Sequence, residues 1–180
     1  MLEVLPFQSK KVGILITGSE IFEGRIRDRS AGIVKEKVEA FGSRVIRETV
    51  IYDDPLRIAE EIRKMKSSGC QVIVTTGGLS VDPDDVTREG IQKSGAEIIF
   101  YGTPVLPGSM SLYARLGRTE ILGAPACLVH DHVTALDLLL PPVLADSPLA
   151  AKEIIRLGHG GLCLKCPVCR YPVCPFGKMG

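Results

Sequence analysis

Tryptophan is absent from this chain, and Phe and Tyr supply only five and four of its 180 residues. Neither charge sign dominates: 22 Lys and Arg stand against 21 Asp and Glu, a formal net charge of +1. With few aromatics and scattered basic residues, neither a stacking platform nor an electrostatic track for nucleic acid is expected. No apolar run approaches the roughly 20 residues that a membrane-spanning helix needs. The beginning, Met1-Leu2-Glu3-Val4-Leu5-Pro6-Phe7, has an early acid and an interrupting proline. It lacks the charged, apolar and cleavage regions of an export signal. These absences predict a cytoplasmic protein with no nucleic-acid and no membrane partner.

What is present is ordinary globular material, 45% hydrophobic and 24% charged, enough for one domain with a substantial core plus an appendage. Strand and helix signals alternate. Lys11 to Thr17, Arg44 to Ile51, Val72 to Thr75, Ala96 to Tyr101 and Thr119 to Leu122 read as strands. Ile26, Ser30, Ile33, Val34, Val38 and Phe41 repeat at helical spacing, with Gly42 as the stop. Asp54-Pro55 is a cap followed by proline at the first helical position, and Ile58, Ala59, Ile62 and Met65 form that helix's inner stripe. A short helix is predicted over Asp85 to Ser94. A last one carries Ala126, Val129, Val133, Leu136 and Leu140 on one face until Pro141-Pro142 breaks it; Val143 to Leu157 can then resume it. Such alternation predicts an α/β fold, a three-layer α/β/α arrangement with a mainly parallel sheet covered on both faces. In such sheets ligands bind outside the carboxyl ends of the strands.

The stretch Thr75-Thr76-Gly77-Gly78-Leu79-Ser80, followed by Asp84-Asp85-Val86-Thr87, lies on that edge. Paired glycines let backbone approach a ligand closely because no Cβ intervenes. The helix start beyond them offers free N–H groups to an anion. Asp85 could hold a magnesium ion or a ligand hydroxyl, or serve only as a helix cap.

On these residues the chain resembles the molybdopterin-binding domain shared by molybdopterin adenylyltransferases, molybdopterin molybdotransferases and the N-terminal part of competence-damage-inducible proteins. Thr17-Gly18-Ser19-Glu20-Ile21, Asp53-Asp54, Thr75-Thr76-Gly77-Gly78, Asp85-Val86-Thr87, Pro107-Gly108 and Gly123-Ala124-Pro125 occur in family order, across about Lys10 to Leu144. The resemblance implies that Thr17, Gly18, Glu20, Thr76, Gly77, Gly78, Ser80, Gly123 and Pro125 hold molybdopterin or its adenylate. It implies that Asp53 and Asp85 are the catalytic acids, coordinating Mg2+ or orienting the pterin. Each has a plainer role too: Asp53 as a turn former, Glu20 as a solvated charge, Thr17 and Thr75 as strand ends. Ser19 replaces the family's usual Asp, and Leu122 stands where the family commonly has proline. The resemblance further implies a homo-oligomer, trimer or dimer, and other molybdenum cofactor proteins as partners.

Beyond Gly158-His159-Gly160-Gly161, read as a flexible joint, the composition changes, so a division into 1–157 and a tail of 158–180 is expected. Cys163, Cys166, Cys169 and Cys174 follow a C-x2-C-x2-C-x4-C spacing and precede Pro175. Clustered thiolates suit a metal, and the spacing is close to the ferredoxin run, so an iron–sulfur cluster is expected, with a four-thiolate Zn2+ site as the alternative. Cys70 and Cys127 are isolated, and Cys127, next to the loop Gly123 to Pro125, is expected to be buried. His130 and His132 flank Asp131 and, on a helix, would point to different faces.

Three functions follow. The first is molybdopterin binding in molybdenum cofactor biosynthesis, by adenylyl transfer or molybdate insertion. The second is a non-catalytic cofactor-delivery or regulatory module whose cysteine tail senses redox state or docks a partner. The third is nucleotide hydrolysis of the competence-protein type. A molybdotransferase normally carries further domains ahead of this one, so binding is expected more firmly than a catalytic step.

Overall fold

The computed structural model describes residues 3–147 and 150–179. Four strands run parallel: β1 (Lys11–Thr17), β2 (Arg44–Ile51), β3 (Val72–Thr76) and β6 (Thr119–Ala124). β5 (Leu112–Leu116) runs the other way, pairing antiparallel with β6 and with β4 (Glu97–Tyr101), which extends the sheet to six in the order β2-β1-β3-β6-β5-β4. Among the described residues six α-helices accompany them: α1 (Ser19–Phe22), α2 (Ser30–Ala40), α3 (Pro55–Ser67), α4 (Thr87–Lys93), α5 (Ala135–Leu144) and α6 (Ala151–Arg156). The three-layer α/β/α architecture with mostly parallel strands is therefore present.

Each face of the sheet has its own core. Val12, Ile14, Ile16, Val72, Val74 and Leu122 pack against Val34 and Val38 of α2 and Leu136, Leu139 and Leu140 of α5. Leu15, Ile73 and Ile121 pack on the other side against Ile58, Ile62 and Met65 of α3 and Ile91 of α4. Alternate residues along each strand point to opposite faces, so a strand covered on both is buried throughout, as β3 is. The edge strand β2 is instead half-covered at every second position. It is tied to α3 by Glu61, whose Oε1 accepts from Arg47 Nε at 2.9 Å and Thr49 Oγ1 at 3.1 Å. Asp54 caps α3 as predicted, accepting from the N–H groups of Leu56 and Arg57 at 2.9 Å.

Several expectations need correction. Strand β5 went unpredicted, although Leu112, Ala114 and Leu116 alternate and Gly117-Arg118 supply a two-residue hairpin before β6. The first long helix begins at Ser30, leaving Ile26 outside it and exposed, because Asp28 takes the N–H groups of Ser30 and Ala31 at 3.1 and 2.8 Å. The predicted final helix is two pieces: a 3-10 turn over Ala126–Val129, then α5 from Ala135, started by a reciprocal cap between Thr134 and Asp137. His130 and His132 therefore lie on an irregular segment, not on a helix. Nor do Pro141 and Pro142 break α5; both lie inside it. Pro141 has no N–H to give the carbonyl of Asp137 four residues earlier. The hydroxyl of Tyr171, from the cysteine tail, donates to that oxygen at 3.0 Å. The resumed helix is α6 alone; Pro148 and Leu149, within that prediction, lie outside the described residues, as do Met1 and Leu2.

Gly158 to Gly161 is likewise not an open joint. Leu157–Gly160 forms a 3-10 turn, and a Cβ on Gly161 would stand 2.1 Å from the Pro104 carbonyl oxygen. Backbone packs on backbone there.

Candidate functional site

Because β1, β2, β3 and β6 are parallel, the segments after Thr17, Ile51, Thr76 and Ala124 emerge on one edge of the sheet. β5 runs the other way, so its entry loop joins them: Leu112 pairs with Gly123. There a cleft of ≈ 570 Å3 is lined by Gly77, Gly78, Ser80, Asp82, Asp85, Leu106 to Met110, and Ala124 to Cys127. Of the predicted residues it gathers Gly77, Gly78, Ser80, Asp85 and Pro125. None of its lining side chains is basic, and two are carboxylates.

The glycine turn is required for a reason other than ligand approach. Gly77 has φ +85°, and a Cβ there would be 2.2 Å from the Thr17 carbonyl oxygen; Gly78 has φ +54°, and a Cβ there would be 2.4 Å from Thr87 Oγ1. The missing Cβ atoms face the protein, so the turn can settle onto β1 and α4 and present its backbone to the cleft. Thr17 and Thr87 complete this support, with hydroxyl oxygens 2.7 Å apart and Thr17 Oγ1 donating to Thr76 O at 3.2 Å. Thr17 and Thr76 are thus buried under the turn instead of lining the cleft. Thr76 Oγ1 accepts from Ser30 Oγ at 2.9 Å, which ties it to α2.

Asp85 is not a helix cap. Helix α4 starts at Thr87 behind an uncapped Val86, and the Thr87 N–H is spent on Gly78 O at 3.0 Å. One of the helix-start amides expected as an anion cradle is therefore already used within the fold. The Asp85 carboxylate accepts only a long 3.4 Å contact from the Asp82 N–H, which leaves it available to the cleft.

Asp53 sits elsewhere on the edge, after β2, two strands from β3 and so about 10 Å across the sheet. Its Oδ2 accepts from Ser19 N–H at 2.6 Å and Ser19 Oγ at 3.0 Å, while its Oδ1 is buried with no donor. The residue that replaces the family's usual acid thus clamps Asp53. A buried carboxylate oxygen without a partner is costly unless a cation or proton reaches it, so Asp53 fits a magnesium ligand. Gly18 takes part through its N–H, donating to Ile51 O at 3.3 Å, and Glu20 is exposed on α1. Gly123 lies within β6, where a Cβ would meet Leu79 and Leu112. It is a packing position and does not line the cleft.

Asp82, Ser109, Met110 and Cys127 line the cleft and were not singled out for it. Only the position of Asp82 near Asp85 could have signalled one of them. Burial pushes the Cys127 thiol up, with Asp131 adding to the effect, so at neutral pH it is a thiol.

Residues 13–146 match a family model described as "Probable molybdopterin binding domain". The chain belongs to the molybdopterin-binding domain family. A "CinA-like protein" of Mycobacterium leprae is 35% identical over 85 residues, 47% of this chain and 20% of that protein. A "Molybdopterin molybdenumtransferase" of Synechococcus elongatus is 28% identical across 97% of this chain and 47% of its own. The chain thus spans about a fifth to a half of the length of these relatives. Among solved structures, the fold is similar to the molybdopterin biosynthesis enzyme MoaB of Thermus thermophilus. That match has a TM-score of 0.60 at 22% identity and covers 74% of this chain and 91% of that one. The molybdopterin biosynthesis Mog protein of Mycobacterium ulcerans matches with a TM-score of 0.60 at 21% identity, over 75% and 95% of the two chains.

The cysteine tail forms a second place of interest. Cys163, Cys166, Cys169 and Cys174 all line a cavity of ≈ 170 Å3, together with His130, Asp131, His132, Lys165 and Arg170. All four are free thiols. Among the described residues no three Cys, His, Asp or Glu side chains converge as ligands of a single ion. No helix among them is long and apolar enough to cross a membrane.

Proposed function

We propose that this domain binds molybdopterin or its adenylate in the cleft beside Gly77 and Gly78, as part of molybdenum cofactor biosynthesis. The observation that carries this reading is Asp85, a carboxylate spared from capping at the rim of a glycine-floored cleft in a molybdopterin-binding fold. A phosphate-bearing pterin entering there would meet Asp82 and Asp85 and no basic side chain, which calls for a cation. Magnesium would be held by Asp53 through its unpartnered Oδ1. Bound there, two strands and about 10 Å along the edge from the glycine turn, it would neutralise phosphate oxygens of a ligand that extends from the cleft across β1 toward β2. Asp85 would orient a ligand hydroxyl, and the backbone of Gly77 and Gly78 would shape the cleft floor, with Ser80 and Pro125 along its walls. The reaction in this reading is adenylyl transfer to molybdopterin or insertion of molybdate at the dithiolene. The protein acts in the cytoplasm as a homo-oligomer, with other molybdenum cofactor proteins as partners. The tail holds a metal, as iron–sulfur or zinc.

One observation favours the alternative of a delivery or regulatory module. The tail is docked on the cleft's own wall: Leu106 N–H donates to Gly161 O at 2.7 Å, and Cys163 N–H to Leu106 O at 2.8 Å. Titrating the purified protein with molybdopterin, with and without Mg2+, tests the common part of both readings. Saturable binding that tightens with Mg2+ is expected; no binding of molybdopterin or its adenylate under either condition refutes both. Turnover of bound molybdopterin with ATP or molybdate separates enzyme from carrier.

A further inference from the structure

The four tail cysteines line one cavity without being gathered, among the described residues, as ligands of a single ion. A single zinc ion takes four thiolates at about 2.3 Å in a tetrahedron, which requires the sulfurs to lie about 3.8 Å from one another. Among the described residues no three potential ligands are gathered in that way. Yet all four cysteines line one cavity of ≈ 170 Å3, several times the volume that one water molecule occupies in the liquid. A polynuclear cluster accepts thiolates that stand farther apart, because each corner iron takes one thiolate and the cluster itself fills the middle. We propose that Cys163, Cys166, Cys169 and Cys174 bind one cubane cluster of the [4Fe–4S] type, each thiolate to a different iron. The proposal refines the tail reading above and does not depend on the pterin reading.

Three further features fit. The spacing of Cys163, Cys166 and Cys169 is that of the three ferredoxin cysteines that share one cluster, and Cys174, one residue later than the fourth ferredoxin cysteine, lines the same cavity as those three. Lys165 and Arg170 line the cavity against one carboxylate, Asp131, which pairs with Lys165, so the net negative charge of a thiolate-bound cluster would have the Arg170 cation beside it. The shell around the cavity is already built. Phe176 is 4% exposed and belongs to the main core, Tyr171 stacks edge-on against it at 6.2 Å, and Lys165 pairs with Asp131 at 2.8 Å. Cys166 and Cys169 remain exposed, which leaves a path for iron and sulfide.

The site also bears on the cleft. Cys163, the first ligand, is hydrogen-bonded through its N–H to Leu106, and Leu106 lines the cleft on the other side. A cluster bridging Cys163 to Cys174 would fix both ends of the docked tail, and with it the segment Leu106 to Met110. The cluster therefore acts as the clasp of one wall of the cleft.

The test is anaerobic reconstitution of the full chain with equal ferrous and ferric iron plus sulfide, compared with Zn2+ alone, followed by metal and sulfide analysis. The expected result is about four irons and four sulfides per chain and a brown protein that becomes paramagnetic on reduction with dithionite. Cys166→Ser and Cys169→Ser, at exposed positions, should lose this iron while staying folded, and Cys127→Ser should keep it. Hydrogen exchange at the Leu106 and Cys163 amides should slow on loading by about ten-fold, a shift of about 1.4 kcal/mol. One colourless zinc per chain with no uptake of iron and sulfide, or no metal under either condition, overturns the cluster. Loading without slower exchange at Leu106 overturns the clasp. Neither result touches molybdopterin binding, which is measured separately.

Discussion

The cleft and the cysteine tail adjoin each other, yet they are held by opposite means. The cleft's floor rests on parallel strands whose side chains are buried on both faces, and its glycine turn is wedged onto Thr17 and Thr87 with no room for a Cβ. Among its described residues the tail has no strand or helix after the 3-10 turn at Leu157–Gly160, and its docking contacts include the buried Phe176 ring, the Tyr171 hydroxyl, the Lys165–Asp131 pair and two backbone hydrogen bonds to Leu106. Rigidity in the first case comes from apolar packing distributed over the sheet. In the second it comes from a few polar anchors, so a ligand in the tail cavity would have much more to add.

The largest contrast should come from Gly77→Val. A Cβ at φ +85° and 2.2 Å from a backbone oxygen cannot be relieved by a side-chain movement. A loss of about 3 kcal/mol or more is expected from denaturant midpoints, with the whole domain affected. A loss below about 1 kcal/mol would show that the turn is looser than its contacts imply.

Alkaline pH should reach both regions through their buried phenols. Burial, then Glu120, pushes the Tyr113 hydroxyl of the sheet from 10.0 up to about 12, and burial, then Asp137, raises Tyr171 of the tail. A raised phenol pKa means the fold holds the proton longer than the unfolded chain does. The stabilisation is complete below about pH 10 and, for Tyr113, is lost as pH rises to about 12. Ultraviolet titration of tyrosinate should show these two ionising above the ordinary tyrosine range.

Tyr171→Phe is a smaller and more local change. It leaves the Asp137 carbonyl, which Pro141 cannot serve, without its donor. About 1 kcal/mol is expected, confined to the tail and α5 and visible as faster exchange there with β3 unchanged. Equal acceleration in β3 would mean that tail and sheet unfold as one unit.

The parallel frame was legible because β1, β2, β3 and β6 carry unbroken apolar or alternating runs separated by strong turn chemistry, such as Asp54-Pro55. The site was legible as an ordered series of short motifs, not as geometry. What stayed hidden depends on partners distant in sequence. Pro141 is accommodated in a helix because the Tyr171 hydroxyl serves a carbonyl 34 residues away, and Asp28 moves the start of α2 by capturing two amides. The glycine turn reads as a ligand cradle from sequence alone, since nothing local reveals that Thr17 and Thr87 fill the space a Cβ would need. The separation of Asp53 from Asp85, and with it the proposed division of labour between them, was equally invisible, because it depends on the strand order that places them two strands apart.

That division is the most direct point at which to test the site. Molybdopterin binding would be titrated, with and without Mg2+, to the native protein, Asp85→Asn and Asp53→Asn. Asp85→Asn should leave the denaturation midpoint nearly unchanged, since that carboxylate makes only one long contact, whereas Asp53→Asn disturbs the Ser19 clamp modestly. Asp85→Asn is predicted to weaken binding about ten-fold or more under both conditions, in line with loss of a hydrogen bond to a charged group. Asp53→Asn should match the native protein without Mg2+ and fail to tighten when Mg2+ is added. Native affinity in Asp85→Asn, or full Mg2+ enhancement in Asp53→Asn, would contradict the placement of ligand and cation on this edge.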